Sequence, residues 1–225
     1  MEPSDQKDKP VLDSVVELEE DALKEYLDDQ TAVVLDTREK TVFEKGFIVG
    51  SVFLAFPSPN FDKFGVQILK NFKSIIIVDD KTKFPAITED LIKKELGSKI
   101  KGYFHYDSER LAGLKLPVKA VGSTDVKELA EILKKDKDSV VLDVRNPNEL
   151  ETEGRVKDVL NIPLGELVER VSEVPKEKNV FMHCARGVRV ITAHSILTRA
   201  KYDNISSLIC TFQQIKDSGV EIIKN

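Results

Sequence analysis

Two nearly identical strings, Val33-Val34-Leu35-Asp36-Thr37-Arg38 and Val140-Val141-Leu142-Asp143-Val144-Arg145, decide the fold class. Their recurrence marks a tandem duplication. Ahead of each lies a helical pattern, carried by Ala22, Leu23, Tyr26 and Leu27 in the first half and by Val126, Leu129, Ala130 and Leu133 in the second. Thr124 or Asp125 can cap the second helix. Behind each string comes another apolar strand, Ile75-Ile76-Ile77-Val78 and Val180-Phe181-Met182, then a further helix and a short strand such as Ile205-Ser206-Ser207-Leu208-Ile209. Strands alternating with helices predict an α/β fold in which each half is a parallel sheet flanked by helices on both faces. Gly113, Pro117 and Gly122 break any helical reading between the halves. The predicted domains are therefore 11–117 and 118–225, both of ordinary domain size. The polar and charged residues 1–10 are expected to be disordered.

Composition narrows the function. The chain has 225 residues, 41% of them apolar and 32% charged, which is enough to build a sizeable core. No apolar run approaches the roughly 20 residues needed to cross a bilayer, and Met1-Glu2-Pro3-Ser4-Asp5-Gln6-Lys7 does not read as a leader, so a cytoplasmic protein without a membrane partner is expected. A net charge of -5 offers no broad basic field, which argues against nucleic acid as a partner. The only cysteines are Cys184 and Cys210, too few for a disulfide framework or a cysteine-rich zinc site.

The chemistry concentrates in Asn179-Val180-Phe181-Met182-His183-Cys184-Ala185-Arg186-Gly187-Val188-Arg189-Val190-Ile191-Thr192-Ala193, which runs from a strand through a short loop into a helix. Cys184 falls at the carboxyl end of the strand, the sheet edge where α/β folds place ligands. Backbone N–H groups of a loop that opens a helix form an anion-binding nest, which favours thiolate over thiol, and Arg186 and Arg189 add positive charge beside it. Gly187 lets the loop turn tightly. Such a loop suits a thiolate attacking the outer sulfur of an anionic donor, because an arginine fork can bind a sulfonate or a carboxylate.

The second half resembles a rhodanese domain, whose active loop has the form Cys-x-x-Gly-x-Arg. Cys184-Ala185-Arg186-Gly187-Val188-Arg189 matches it, as do Leu142-Asp143-Val144-Arg145-Asn146-Pro147-Asn148-Glu149 and Asn161-Ile162-Pro163-Leu164. The resemblance implies Cys184 as the catalytic nucleophile, substrate binding by Ala185, Arg186, Gly187, Val188 and Arg189, and no metal or other cofactor. The implied partners are a small anionic sulfur donor and a thiol or cyanide acceptor. Gly154-Arg155-Val156 and Cys210-Thr211 depart from the family pattern, which expects Gly-His-Ile and paired glycines. The first half resembles the same fold with Asp79-Asp80-Lys81-Thr82-Lys83 where the active loop belongs, so an inactive domain is expected. Asn60-Phe61-Asp62 and Lys101-Gly102-Tyr103 resemble the rhodanese part of metallo-β-lactamase-fold persulfide dioxygenase fusions, which makes such a dioxygenase, or a sulfur-relay protein, a candidate partner in trans.

Bland roles compete for several of these residues. His183, on the strand, should point away from the cysteine and be a satisfied core histidine, and His194 should pack in step with Val190 and Leu197. Cys210 reads as a packed core thiol in or beside the last strand. A structural salt bridge of Arg145 with Glu149 accounts for Arg145 better than acid-base work with Asp143. Arg186 ranks first for donor contact, while Arg189 is either a second anion contact or a loop-shaping residue held by backbone carbonyls. Three function classes remain: a sulfurtransferase, a cysteine-based phosphatase or arsenate reductase, and a silent interaction module. Related phosphatases use a loop one residue longer, and Val190 stands where their arginine would be.

Overall fold

The computed structural model describes residues 15–79, 82–106, 113–136 and 138–224. Residues 1–10, together with Asp80 and Lys81 of the first half's loop, lie outside them. The described chain forms two compact units, the first running to Lys119 apart from Glu44–Gly46, and the second comprising Glu44–Gly46 and the chain from Ala120 onward.

In the first unit the strands are β1 (Val16–Glu17), β2 (Ala32–Asp36), β3 (Phe47–Ile48), β4 (Val52–Phe53), β5 (Ser74–Asp79), β6 (Ile100–His105) and β7 (Val118–Lys119). Five of them pair in parallel in the order β1-β6-β5-β2-β4, while β3 and β7 make a separate antiparallel pair. Every residue of β2 is buried, as expected for a parallel strand covered on both faces. Val34, Ile76, Val78 and Phe104 pack on one side with Leu23 of the helix Glu20–Asp28. Alternation turns Val33, Leu35, Ile75 and Ile77 to the other side. The helices Pro59–Leu69 and Phe84–Lys93 bury Phe61, Phe64, Ile68, Ile87 and Leu91. Ser58 starts the first of these by accepting a hydrogen bond from the Phe61 N–H, ahead of Pro59 in the first turn.

The second unit repeats this plan with β8 (Ser139–Asp143), β9 (Arg155–Val156), β10 (Leu160–Asn161), β11 (Asn179–His183), β12 (Ile205–Ser207) and β13 (Ile222–Ile223). The parallel order is β10-β8-β11-β12, a bridge from Ser123 to Ser207 extends the far edge as β1 does in the first unit, and β9 pairs antiparallel with β13. Asp125 caps the helix Val126–Lys135 by accepting from the Lys127 N–H. Leu129 and Ala130 of that helix and Phe212 and Ile215 of the helix Phe212–Asp217 bury one face of the sheet with Val141, Phe181 and Leu208. The helix Arg189–Arg199 packs against β11 and β12 and is buried along nearly its whole length. Strand β12 is shorter than the Ile205–Ile209 run suggests: Leu208 still donates its N–H to Met182 O, and the chain then leaves the sheet. Among the described residues no helix is long and apolar enough to cross a membrane.

Candidate active site

Strand register places the cysteine. His183 is the Cα partner of Asp143 at the carboxyl ends of β11 and β8, so Cys184 is the first residue past the sheet, beside an interior strand. Its side chain is nearly enclosed, at 1% residue exposure. The loop from Ala185 to Val188 then delivers the chain into the helix that begins at Arg189.

A second loop braces the first. Phe212 donates its N–H to Ala185 O at 3.0 Å, and Arg186 bridges antiparallel to Thr211. Gly187 sits where they touch, with φ +69° and an ideal Cβ position 3.1 Å from Cys210 N and 3.2 Å from Ile209 C. A Cβ there would press on the backbone of the second loop, and the left-handed backbone penalises any side chain. Gly187→Ala is therefore expected to destabilise the unit by at least about 1–2 kcal/mol in urea unfolding. An unchanged midpoint would mean the two loops do not bear on each other.

The arginines of the loop differ in their engagement. Arg189 donates from Nη1 to Glu149 Oε2 and from Nη2 to Glu149 Oε1, both at 2.6 Å. Glu149 is itself positioned by the start of the helix Pro147–Glu153, where its Oε2 accepts from the Asn146 N–H. Hydrogen bonds from Arg189 hold the Glu149 carboxyl below the usual carboxylate range, against its partial burial. Burial opposes charge on Arg189, yet Glu149, Cys184 and Asp143 together raise its pKa above the ordinary arginine value. A carboxylate, rather than backbone carbonyls, thus holds Arg189. Arg186 is exposed at the loop's apex.

The expected pair of Arg145 with Glu149 is not formed. Arg145 instead grips Asp143, with Nε at 3.1 and 3.0 Å and Nη2 at 2.7 Å, and adds Glu153 Oε2 and Gly154 O. Glu149 is one turn away and already committed to Arg189. The Arg145 guanidinium lies 3.6 Å above the Phe212 ring, so the buried pair is closed by an aromatic lid. His183 stacks on the same ring at 5.5 Å and is fully buried. Its ring points into the core as the strand alternation requires, with Nε2 3.5 Å from Asp143 Oδ2, but neither ring nitrogen makes a well-formed hydrogen bond. Burial, with Arg145 and Arg189, keeps its pKa below the usual histidine value against the pull of Asp143. His194 is buried, with Nδ1 3.0 Å from Ser207 Oγ. Cys210 is only half-buried and leans on the edge of the core, and its backbone forms part of the wall behind Gly187. Burial, followed by the charges of Cys184 and Asp125, pushes its thiol up to about 11.

A family model for the rhodanese-like domain matches residues 19–107 and again 125–218, one copy in each unit. This chain belongs to the rhodanese family. A sulfurtransferase of Allochromatium vinosum is 30% identical over 88 residues, covering 39% of this chain and 81% of that protein. A tRNA sulfurtransferase of Aeromonas salmonicida is 32% identical over 98 residues, 40% of this chain but 20% of its own length. The crystal structure of a rhodanese-related protein from Thermoplasma volcanium shares 28% identity over 46% of this chain and 99% of its own, with a TM-score of 0.40.

The two rhodanese-like domains share one structural device and differ at the residue that follows the central strand. In the first, Arg38 grips Asp36 through Nε and Nη2 and lies 3.7 Å from the Tyr106 ring centroid, the counterpart of Arg145, Asp143 and Phe212. The Asp-x-Arg string is thus a structural clamp in both. Val78 pairs with Asp36 as His183 pairs with Asp143, so Asp79 occupies the place of Cys184. Asp79 is buried, accepts from Thr37 Oγ1 at 2.6 Å and lies 3.7 Å from Lys83 Nζ. Sequence proximity pairs Glu149 with Arg145, whereas its actual link to Arg189 spans 40 residues of sequence.

Proposed function

We propose that the chain is a rhodanese-type sulfurtransferase that takes sulfane sulfur from thiosulfate or a persulfide and passes it to a thiol or cyanide through a persulfide on Cys184. The observation that carries this reading is the enclosed Cys184 at the carboxyl edge of the second sheet, on a loop braced by Gly187 and tied down by the Arg189–Glu149 pair. The names of the relatives point the same way. In the first step the Cys184 thiolate attacks the outer sulfur of the donor, an S–S bond forms, and sulfite or a thiolate leaves with the electron pair of the broken bond. In the second step the acceptor thiolate attacks that same outer sulfur and Cys184 departs as thiolate. Arg189, already engaged by Glu149, holds the loop, and Arg186 is the residue free to meet the anionic donor.

The first domain serves packing or partner contacts, since Asp79 at the nucleophile position cannot carry a persulfide. A persulfide dioxygenase or a sulfur-relay protein is the partner we assign to the pair of domains.

Intact-mass measurement before and after thiosulfate or glutathione persulfide tests the reading. One added sulfur atom, lost on addition of thiol and absent in Cys184→Ser, is the expected result. Hydrolysis of a phosphate ester with no sulfur taken up would replace the proposal with the phosphatase reading. Arg186→Ala is expected to raise the donor KM by about tenfold to a hundredfold, as loss of a charge-assisted hydrogen bond does, with kcat little changed. An unaltered KM would remove Arg186 from donor binding.

A further inference from the structure

Phe212 touches the chain on both sides of the nucleophile. Its ring stacks on the His183 ring, with centroids 5.5 Å apart and planes inclined by 14°. Its N–H donates to Ala185 O at 3.0 Å. His183 and Ala185 are the two neighbours of Cys184, so one residue of a distant helix bears on the backbone that enters the cysteine and on the backbone that leaves it. Phe212 is itself firmly held. The Arg145 guanidinium lies 3.6 Å from its ring centroid, and the residue is buried. It opens its helix under a capping box, in which the Gln214 N–H donates to Thr211 Oγ1 at 3.3 Å and the Thr211 N–H donates to Gln214 Oε1 at 2.9 Å. The first unit lacks half of this arrangement. Tyr106 covers Arg38 there in the same way, but the residue ahead of Asp79 is Val78, which has no ring to stack, and the Tyr106 N–H donates to Asp79 O itself at 3.3 Å. The two-sided grip goes with the cysteine.

We infer that Phe212 is a positioning residue for Cys184, one that sets the course of the chain through the nucleophile. The inference rests on the sulfurtransferase reading and adds a residue to its machinery. On the leaving side, the physical reason is the planarity of the peptide. With Ala185 O bound to the Phe212 N–H, the Arg186 N–H on the other edge of the same plane faces away from the bracing loop. That N–H is one of the amides of a loop that opens a helix, and such amides form the nest for charge on the sulfur and on the departing donor. On the entering side, the stacked His183 ring keeps the end of β11 from twisting, so Cys184 leaves the sheet in one direction. Loosening either hold lets the sulfur and the amides drift relative to each other. Such drift slows the chemistry more than it weakens donor binding, because the exposed Arg186 side chain is left untouched.

The test measures kcat and donor KM in the full chain, with cyanide as acceptor and with thiosulfate or glutathione persulfide as donor, whichever loads Cys184 by intact mass. Phe212→Leu keeps the backbone N–H and an apolar side chain but loses the ring. It should lower kcat about tenfold with donor KM nearly unchanged, in protein shown to be folded by urea unfolding. Phe212→Tyr, which carries the ring that the first unit sets over Arg38, should bring kcat back to within about twofold of the wild type. His183→Val should slow turnover in the same way, and His183→Phe, which restores a ring to stack, should recover it. Phe212→Leu combined with His183→Val should fall little further than the worse single change, since both remove one stack. The His183 variants decide the matter if Phe212→Leu does not fold. An unaltered kcat in folded Phe212→Leu or His183→Val, a His183→Phe as slow as His183→Val, or losses that simply add overturns the positioning role. Failure of the underlying reading looks different, because intact mass would then show no sulfur on wild-type Cys184 from either donor.

Discussion

Cys184→Ser is expected to abolish sulfur transfer while the protein still folds. The serine hydroxyl replaces the thiol at nearly the same size within a site that is 1% exposed, so neither a large cavity nor a clash arises. What disappears is the atom that can accept sulfane sulfur. Removal of a covalent nucleophile typically costs a factor of about 10⁴ or more in turnover. Cys210 cannot take over, because its thiol, pushed up to about 11, stays protonated at neutral pH. Cys210→Ser should accordingly keep most of the activity. Turnover assays with urea unfolding of both variants decide the matter. Activity surviving in Cys184→Ser would refute the proposed mechanism, and activity lost in a folded Cys210→Ser would give the second thiol a role in it.

The second large effect is expected from Arg189→Ala. Truncation leaves the Glu149 carboxylate without its two 2.6 Å partners in a site where the glutamate side chain is only 21% exposed. An orphaned, partly buried carboxylate costs about 1–3 kcal/mol, less than a fully buried one because water still reaches it. The loop loses its tie to the helix Pro147–Glu153, Cys184 shifts against the donor, and kcat should fall by about a hundredfold, the scale set by misplacement of roughly 1 Å. Glu149→Gln should reproduce part of the loss without touching the loop's own sequence. The pair also sets a pH dependence. The carboxyl of Glu149 titrates lower in the folded protein than in the unfolded chain, so its contribution is fully present above the ordinary glutamate value. It is lost as the pH falls through the depressed folded value. The acid limb of the stability curve should therefore be shallower in Glu149→Gln than in the wild type. Identical acid limbs, with kcat unaltered in Arg189→Ala, would leave the pair without a part in holding the loop.

Much of the architecture was legible because it follows from short-range rules. The duplicated Val-Val-Leu-Asp-x-Arg strings, the buried apolar strands and the amphipathic helices between them require covered parallel sheets. The observed orders β1-β6-β5-β2-β4 and β10-β8-β11-β12 satisfy that requirement twice. The Cys184 loop was legible for the same reason: strand end, cysteine, glycine and helix start are contiguous, so chain direction alone brings them to the sheet edge. Asp125 as helix cap belongs to this local class too.

What the sequence determined by itself, then, is the repeat, the α/β class and the position of one cysteine at the carboxyl end of a strand, since each depends on neighbours within a few residues. Tertiary structure alone decided the partners of the charges. Arg145 and Glu149 stand close enough in sequence to suggest a bridge. But the Asp143 carboxylate, two residues before Arg145 at the end of β8, is buried beside its guanidinium and captures it, while Glu149 is turned by its helix start toward Arg189. His183 is expected to be a satisfied core histidine, yet its ring stacks on Phe212 and keeps Nε2 at 3.5 Å from Asp143 Oδ2, because Phe212 comes from a helix whose place over the sheet no local rule specifies. Burial and partner choice among ionised groups are set by which distant elements pack together, and the chain encodes that only through the fold as a whole.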